Sequence, residues 1–176
     1  MALVVFLRGV NVGGHRTFRP SVLAGQLRHL DVVNIGAAGT FVIRKPVSRA
    51  QLRAEISRRL PFDAELMICE GREIVRLMSH DFFPGYPVRA DTIRFVSVLS
   101  RISRTAPPLP LTLPPSGACL VKVLAREKRI IVGVYRRQMK VLAYLGKLDR
   151  IFGASVTTRN WNTIAAIAKV LEHGVT

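Results

Sequence analysis

The stretch Ala2–Gly14 (ALVVFLRGVNVGG) organises the first half of this 176-residue chain. Residues 2–7 are a continuous apolar run rich in β-formers, which predicts a central strand. The glycines after Arg8 predict a loop that leaves this strand. Backbone N–H groups in such a loop, flanked by Arg8 and other basic side chains, favour the binding of a phosphate-like anion.

The glycine loop lacks the spacing of the known nucleotide-binding loops. No Gly-Lys-Ser/Thr follows Gly14, and Asn11 stands where the second Gly of a Gly-x-Gly-x-x-Gly motif would be. The alternative is a tight turn at positive φ in which Asn11 hydrogen-bonds locally. The sequence leaves both interpretations open.

The first half has the element order of a ferredoxin-like unit. Ser48 and Gln51 have the spacing of a capping box, and a helix with an apolar stripe follows them as far as Pro61. The other predicted elements are a helix that begins at Pro20, strands at 32–35, 40–43 and 65–69, and a connecting helix over 71–83. The order β-α-β-β-α-β predicts an antiparallel sheet with two helices on one face.

The second half repeats this unit in degenerate form after residues 84–87. Its predicted elements are a strand at 93–99, a hairpin over 118–135 and a helix over 138–152 closed by Gly153. Five Pro between residues 107 and 115 exclude the helix expected there. We therefore predict an α+β fold with two ferredoxin-like halves, the second degenerate, plus a C-terminal helix. The expected domains are 1–84 and 85–176.

The stretch Thr157–Thr163 (TTRNWNT) combines polar side chains with an Arg and the only Trp of the chain. Apolar side chains recur after it at helical spacing, which predicts a helix that begins at Thr158 or nearby. Arg159 would then lie beside unpaired N–H groups of partial positive charge, so an anion is expected there. That anion is either a carboxylate from elsewhere in the fold or a bound ligand. The alternative is a capping Thr with a core Trp161.

Together, Arg8–Gly14 and Thr157–Thr163 resemble the two signatures of a bacterial family of unknown function, DUF1697. The resemblance runs over the whole chain. It implies a cytosolic α+β protein built from ferredoxin-like halves, with no known reaction. The family usually has Gln-Ser-Gly-Asn between its second and third strands, where this chain has Ala37-Ala38-Gly39-Thr40. If those polar side chains complete a site in relatives, that site is altered or lost here.

The net charge is +16 at pH 7 and both ends of the chain are basic, which indicates an anionic partner such as nucleic acid. Arg49, Arg53 and Arg59 would form the basic face of such a nucleic-acid-binding module. Aromatic side chains on the predicted strands are few, so loose electrostatic binding is expected rather than specific reading of RNA bases. A bias of the coding sequence toward Arg would explain the same charge without a partner.

Metal, disulfide and hydrolase signatures are not visible in the sequence. The four His are scattered without ligand spacing, and eleven acidic residues are too few to suggest a two-metal site. Cys69 and Cys119 lie in separate apolar segments and are expected to be free thiols of a cytoplasmic protein. No apolar run is long enough to span a bilayer. No metal or cofactor is predicted, no catalytic residue is assigned, and it is left open whether the protein is an enzyme.

The favoured hypothesis is a site for a small anionic, phosphate- or nucleotide-like ligand, at which the glycine loop and the TTRNWNT segment are in contact. Its residues are Arg8, Asn11, Gly13, Gly14, Thr158, Arg159, Asn160, Trp161 and Asn162. The alternatives are the nucleic-acid-binding module, a metal-independent enzyme that acts on a phosphorylated metabolite, and a scaffold without a ligand. A monomer or homodimer is expected.

Overall fold

The computed structural model describes residues 1–11, 14 and 16–174. The chain divides into two compact units: a first unit of Met1–His80 with Asn162–Thr176, and a second unit of Asp81–Trp161. Each unit has its own antiparallel sheet. The division into domains 1–84 and 85–176 stays a prediction about where the chain separates into folding domains, while contacts group the C-terminal segment with the first unit.

The first unit has the predicted ferredoxin-like order. Its elements are β1 (Leu3–Leu7), α1 (Pro20–Gln26), β2 (Val32–Asn34), β3 (Thr40–Ile43), α2 (Arg49–Arg59), β4 (Leu66–Glu70) and α3 (Gly71–Met78). The four strands are antiparallel neighbours in the order β2-β3-β1-β4. Strand β1 is therefore central and buried along its whole length, as its apolar sequence predicted.

Local sequence signals set the helices of the first unit. Ser48 Oγ accepts the Gln51 N–H at 3.1 Å, and Gln51 Oε1 accepts the Ser48 N–H at 3.2 Å, so the predicted capping box is present. Leu52 and Ile56 of α2 are buried in the core. Helix α3 ends at Met78, earlier than the sequence predicted.

The early end of α3 has a local cause in the residues that follow. The Asp81 carboxylate accepts the Phe83 N–H at 3.0 Å, which closes a turn that competes with continued helix. The predicted helical stripe beyond residue 78 is therefore replaced by a turn.

The second unit contains the degenerate half. Its elements are β5 (Thr92–Leu99), β6 (Leu111–Leu113), β7 (Val121–Glu127), β8 (Ile130–Arg136), α4 (Val141–Leu145), α5 (Leu148–Phe152) and β9 (Val156–Asn160). The antiparallel sheet has the order β6-β7-β8-β5-β9. Without β6 this is the strand order of the first unit, with α4 and α5 in place of the second helix. The predicted α+β fold with a degenerate second ferredoxin-like half is confirmed.

The Pro-rich segment between β5 and β7 contains no helix, as predicted, and contributes the edge strand β6. Arg126 holds the start of this segment, because Nη1 donates to Thr105 O at 2.6 Å and Nη2 donates to Ser103 O at 2.7 Å. Gly153 has φ +71°, and a Cβ added there would lie 2.8 Å from Thr105 Oγ1. The missing helix is thus replaced by a segment that is held to β7 by the Arg126 guanidinium and by the pairing of β6 with β7.

The predicted single helix over 138–152 is wrong. Helix α4 ends at Leu145 and α5 begins at Leu148. Gly146 lies between them, and a glycine inside a helix weakens it by about 1 kcal/mol relative to Ala. Gly153 ends α5 in the left-handed conformation, which confirms the predicted C-cap glycine.

The last helix, α6 (Trp161–His173), begins in the second unit and continues in the first. Within the first unit, Leu171 packs against Gly71 at the start of α3, where an added Cβ would lie 2.9 Å from Leu171 Cδ2. Among the described residues, no helix combines the length and apolar character needed to cross a membrane.

Candidate functional site

The TTRNWNT segment is a strand followed by a helix start. Val156–Asn160 forms edge strand β9, which pairs antiparallel with β5, and α6 begins only at Trp161. The prediction that the helix begins at Thr158 is wrong, because the edge of β5 offers N–H and C=O groups that need partners. The β-branched side chains of Thr157 and Thr158 suit such a strand.

Arg159 therefore does not lie in the first turn of a helix, and that electrostatic argument for an anion beside it no longer applies. Its side chain is 8% exposed, and Nη1 donates to Thr157 Oγ1 at 2.8 Å and to Thr158 O at 2.9 Å. Burial lowers the pKa of Arg159 to about 10, so the guanidinium still carries its charge at neutral pH. Its predicted role as a ligand-binding residue stays a prediction.

Three other residues of the segment have different surroundings. Thr158 forms a hydroxyl–hydroxyl hydrogen bond of 2.6 Å with Ser97 of β5, a cross-strand pair that stabilises the sheet edge. Asn160 and Asn162 are exposed. Neither Asn lines the cavity of the second unit that is described below.

Asn11 closes the glycine loop of the first unit. It has φ +54°, its Nδ2 donates to Ala37 O at 2.9 Å, and its Oδ1 accepts the Phe18 N–H at 2.9 Å. Both ends of the amide are thus used within the fold, which favours the local hydrogen-bonding interpretation of this residue. Gly14 is exposed at φ +76°, and Arg8 pairs with Glu65 at 3.2 Å. Gly13 lies outside the described residues.

The segment Ala37-Ala38-Gly39-Thr40 contacts the rest of the first unit through its backbone. The Ala37 carbonyl receives the Asn11 amide. Gly39 has φ +79°, and a Cβ added there would lie 2.8 Å from both Leu7 Cβ and Val10 Cγ2. The segment therefore packs tightly against the end of β1.

The basic face of α2 is engaged within the first unit. Arg49 lies 3.4 Å from the Glu70 carboxylate, Arg53 Nη1 donates to Leu66 O at 3.1 Å, and Arg59 pairs with Glu55. A nucleic-acid phosphate would have to compete with these acceptors for each of the three side chains. Binding of nucleic acid to this face stays a prediction.

The residues of the predicted anion site are divided between the units. Arg8–Gly14 and Asn162 belong to the first unit, and Thr157–Trp161 belong to the second. The predicted contact between the two segments stays a prediction.

A cavity of about 230 Å³ lies within the second unit. Its lining includes Tyr86, Arg89, Thr92, Lys122, Val134 and Arg136. All of these residues belong to the unit Asp81–Trp161. They come from the loop before β5, the start of β5, and strands β7 and β8.

Strand register explains why these side chains meet. Lys122 is opposite Val134, and Thr92 is opposite Arg136. Because side chains of paired residues, and of residues two apart, share a face, all four lie on one face of the sheet. Tyr135 alternates to the other face, where its ring lies 5.6 Å from that of Phe95. Tyr135 borders the cavity, but its ring packs against Phe95 on the other face of the sheet.

The cavity carries an excess of positive charge. Arg136 Nη1 donates to Asp91 Oδ2 at 2.8 Å, and Arg89 Nε lies 3.4 Å from Asp91 Oδ1, so one carboxylate is shared by two guanidinium groups. Although desolvation acts to raise it, the pKa of Asp91 is lowered by Arg89, Thr92 and Arg136. With Lys122 as the third cation, two positive charges remain without a compensating carboxylate among these groups.

Lys122 is held beside Tyr86. Its Nζ lies 5.5 Å from the centroid of the Tyr86 ring. The side-chain hydrogen bond to Tyr86 is the largest cause that raises the pKa of Lys122, so the ammonium keeps its proton at neutral pH. The cavity thus has buried apolar residues such as Val134 at its base, a half-buried Lys122–Tyr86 pair at its wall and exposed guanidinium groups at its rim.

The Tyr86 wall is tied to the sheet by Arg94 and Phe83. Arg94 Nη2 donates to Tyr86 O at 2.6 Å, and its guanidinium carbon lies 4.6 Å from the centroid of the Phe83 ring. The other neighbour of Phe83 is Trp161, at 4.9 Å between ring centroids. Trp161 of the TTRNWNT segment therefore reaches the cavity wall through two intermediate side chains.

The family model described as "Protein of unknown function (DUF1697)" matches residues 1–107 of this chain. The chain belongs to the DUF1697 family. The resemblance inferred from the sequence is confirmed at the level of the family, and the matched range ends before the TTRNWNT segment.

This DUF1697 protein is similar in structure to a conserved bacterial protein from Streptococcus pneumoniae. The TM-score is 0.60 at 14% identity, and the match covers 97% of this chain and 98% of the other. At that identity the likeness shows the fold. None of the curated proteins matches this chain.

Sequence reasoning on the DUF1697 chain missed the cavity, because its residues are spread over the loop 85–92 and two later strands. The available signals were weak. Lys122 is a charged residue within the apolar start of β7, and Arg136 ends β8. Neither signal is specific, because surface lysines and strand-end arginines are common. Within the described residues no cluster of His, Cys, Asp and Glu has the arrangement of a metal site.

Proposed function

We propose that this protein binds a small anionic ligand in the cavity of the second unit. The observation that supports the proposal is the excess of two positive charges, from Arg89, Lys122 and Arg136 against Asp91, around a cavity with an apolar base. Ligand sites typically combine an apolar lining with a few convergent polar groups. The ligand class is the one expected from the sequence, a phosphate- or nucleotide-like anion. The proposed site differs, because the sequence led us to expect it between the glycine loop and the TTRNWNT segment.

The volume limits the size of the ligand. Cavities that hold drug-sized molecules have volumes of about 300–1,000 Å³, and this one has about 230 Å³. A compact anion fits such a volume better than a dinucleotide or a folded nucleic acid. The nine residues predicted from the two sequence signatures remain a separate hypothesis. One of them, Trp161, has a structural link to this cavity through Phe83.

Binding is tested by calorimetric titration of inorganic phosphate into the purified full chain and into two lysine variants. Lys122→Gln removes the cation at the cavity wall, and a lost charge-assisted hydrogen bond predicts a Kd about tenfold higher. Lys122→Arg keeps the charge and should retain most of the affinity.

The chain offers a matched control for Lys122. Lys147 Nζ lies 4.8 Å from the centroid of the Tyr144 ring, a similar lysine–tyrosine pair that does not line the cavity. Lys147→Gln should leave the Kd within about twofold of the parent value, because only local contacts are lost. Equal weakening by both Gln variants would indicate non-specific attraction to a basic protein and would overturn the proposal.

A second titration, with an oligonucleotide in place of phosphate, separates small-anion binding from nucleic-acid binding. An oligonucleotide that binds through many phosphates should lose affinity steeply with salt, by about 0.9 in log–log slope for each phosphate contact on a duplex. If an oligonucleotide binds with such a slope and Lys122→Gln has no effect, the nucleic-acid module with Arg49, Arg53 and Arg59 becomes the better hypothesis. If Lys122→Gln weakens phosphate binding and Lys147→Gln does not, the result supports the cavity as the site.

A further inference from the structure

The cavity has two features that bear on ligand identity beyond its sign of charge. The first is the number of uncompensated positive charges, and the second is the number of separate donor groups. Both can be read from the contacts of Arg89, Lys122 and Arg136. The inference drawn from them rests on the proposed function, because it concerns the ligand of the same cavity.

The uncompensated charge favours a dianion. Asp91 is shared between Arg89 and Arg136, and Lys122 is paired with the neutral Tyr86 side chain, so two positive charges are left over. A carboxylate or a phosphodiester carries one negative charge and would neutralise half of this excess. A phosphate monoester carries about −1.5 to −2 at pH 7 and would neutralise nearly all of it.

The donor groups suit three acceptor oxygens. A guanidinium has five N–H donors and an ammonium has three, and Asp91 receives one N–H from Arg136. Arg89, Arg136 and Lys122 therefore each retain donors for a ligand. A monoester presents three terminal oxygens, which is one for each cation, whereas a diester presents two.

The organic part of the ligand would contact the remaining lining. Leu120 and Val134 are buried and apolar, and the Tyr86 ring is half-buried beside Lys122. Because the cavity volume is about 230 Å³, this part must be short. We infer that the ligand is a phosphate monoester of a small organic molecule, bound as its dianion with the phosphate between Arg89, Lys122 and Arg136.

The charged groups that face the phosphate position hold their charges through the neutral range. The pKa of Lys122 is raised, first by the hydrogen bond to Tyr86. Although desolvation acts to raise it, the pKa of Asp91 is lowered by its Arg neighbours. None of the lining residues is a histidine. A pH dependence of binding between about 5 and 8 would therefore come from the second ionisation of the ligand, whose pKa is about 6.

The remaining titratable group of the lining is the Cys119 thiol, whose Sγ donates to Val121 O at 3.5 Å. A Cys119→Ser variant removes any contribution of this thiol and serves as the parent protein for the pH series. The Ser hydroxyl is a hydrogen-bond donor at the same position as the thiol.

The test compares three probes of nearly equal size by calorimetry at constant ionic strength. Methyl phosphate becomes a dianion as the pH rises, while methyl sulfate and dimethyl phosphate stay monoanions. From about pH 5 to about pH 8 the dianion fraction of methyl phosphate rises about tenfold, so its affinity should rise about fourfold if its monoanion binds about fivefold more weakly, and about tenfold if its monoanion does not bind. The affinities of the two monoanions should stay constant and be at least about fivefold weaker than that of methyl phosphate at the upper pH.

The possible outcomes separate this inference from the proposed function. If methyl sulfate or dimethyl phosphate binds as tightly as methyl phosphate, and Lys122→Gln weakens all three, the cavity binds anions but the monoester assignment is wrong. If Lys122→Gln changes none of the affinities, the site itself is wrong and both proposals are overturned. If the predicted rise of the methyl phosphate affinity with pH is present in the parent and lost in Lys122→Gln, the result supports both the cavity as the site and the monoester as the ligand.

Discussion

The indole of Trp161 lies edge-to-face against the ring of Phe83, with 4.9 Å between the centroids and 83° between the planes. Phe83 in turn lies under Arg94, whose Nη2 donates to Tyr86 O. The first residue of α6 thus supports the loop that forms one wall of the cavity. For the proposed ligand, Trp161 would be a positioning residue that acts through Phe83 and Arg94.

Trp161→Ala is expected to weaken phosphate binding about three- to tenfold, because edge-to-face aromatic pairs contribute about 0.5–1.5 kcal/mol and their loss frees the Tyr86 loop. Trp161→Phe should restore most of the affinity. The control is Phe82→Ala, since the Phe82 ring also lies near Trp161, with 6.3 Å between the ring centroids, while the ring under the Arg94 guanidinium is that of Phe83. Calorimetry that finds the same Kd for Trp161→Ala and the parent would contradict the positioning role.

Arg159→Ala is expected to lower the free energy of unfolding by about 3 kcal/mol, because it removes charge-assisted hydrogen bonds from a buried side chain. The bonds are those to Thr157 Oγ1 and Thr158 O. Urea denaturation measures this loss. The Kd for phosphate at the cavity should stay within about twofold of the parent value. A large change in Kd with unchanged stability would instead support the ligand-binding role predicted from the sequence.

Gly39→Ala is expected to destabilise the protein by about 2–4 kcal/mol, because it combines a positive φ with a steric clash. The added Cβ would lie 2.8 Å from Leu7 Cβ. Gly36→Ala is the matched control, since Gly36 also has positive φ, +68°, but no atom lies within 4 Å of its added Cβ. It should cost only about 1–2 kcal/mol in the urea midpoint analysis. Equal losses would show that the backbone conformation alone matters at both positions.

Asp31→Asn is expected to destabilise the first unit at neutral pH and to have no effect in acid. Arg44 Nε and Nη2 donate to the two Asp31 carboxylate oxygens at 2.8 Å each, and this hydrogen bonding is the largest cause that lowers the pKa of Asp31 from 3.8. A lowered folded-state pKa gives stability that is present above the unfolded-state value and is lost as the pH falls through the folded-state value.

The pH effect at Asp31 is measured as the difference in urea midpoint between Asp31→Asn and the parent, at about pH 7 and about pH 2. The midpoint of Asp31→Asn should lie below that of the parent at the higher pH, and the two midpoints should be nearly equal at the lower pH. Asp63→Asn, an exposed site of the same unit, is the control and should show little difference at either pH. A difference that persists unchanged in acid would mean that the negative charge of Asp31 is not the cause of the lost stability.

Local signals in the sequence determined much of the first unit and some features of the second. The apolar run at residues 2–7 became the central strand β1, and Ser48 with Gln51 formed the capping box of α2. The prolines of 107–115 excluded a helix, and Gly153 capped α5. Each of these features depends on a residue's own conformational range or on partners within four positions, so the physics is contained in the local sequence.

Tertiary structure alone decided the features that depend on distant partners. Val156–Asn160 became a strand because the edge of β5 offered hydrogen bonds, although the helical pattern that follows the segment suggested an earlier helix start. The cavity exists because β7 and β8 bring Lys122 and Arg136 to one sheet face and Arg94 holds Tyr86 beside them. Neither the strand register nor the side-chain contact can be read from spacing along the chain, because both are set by residues tens of positions away.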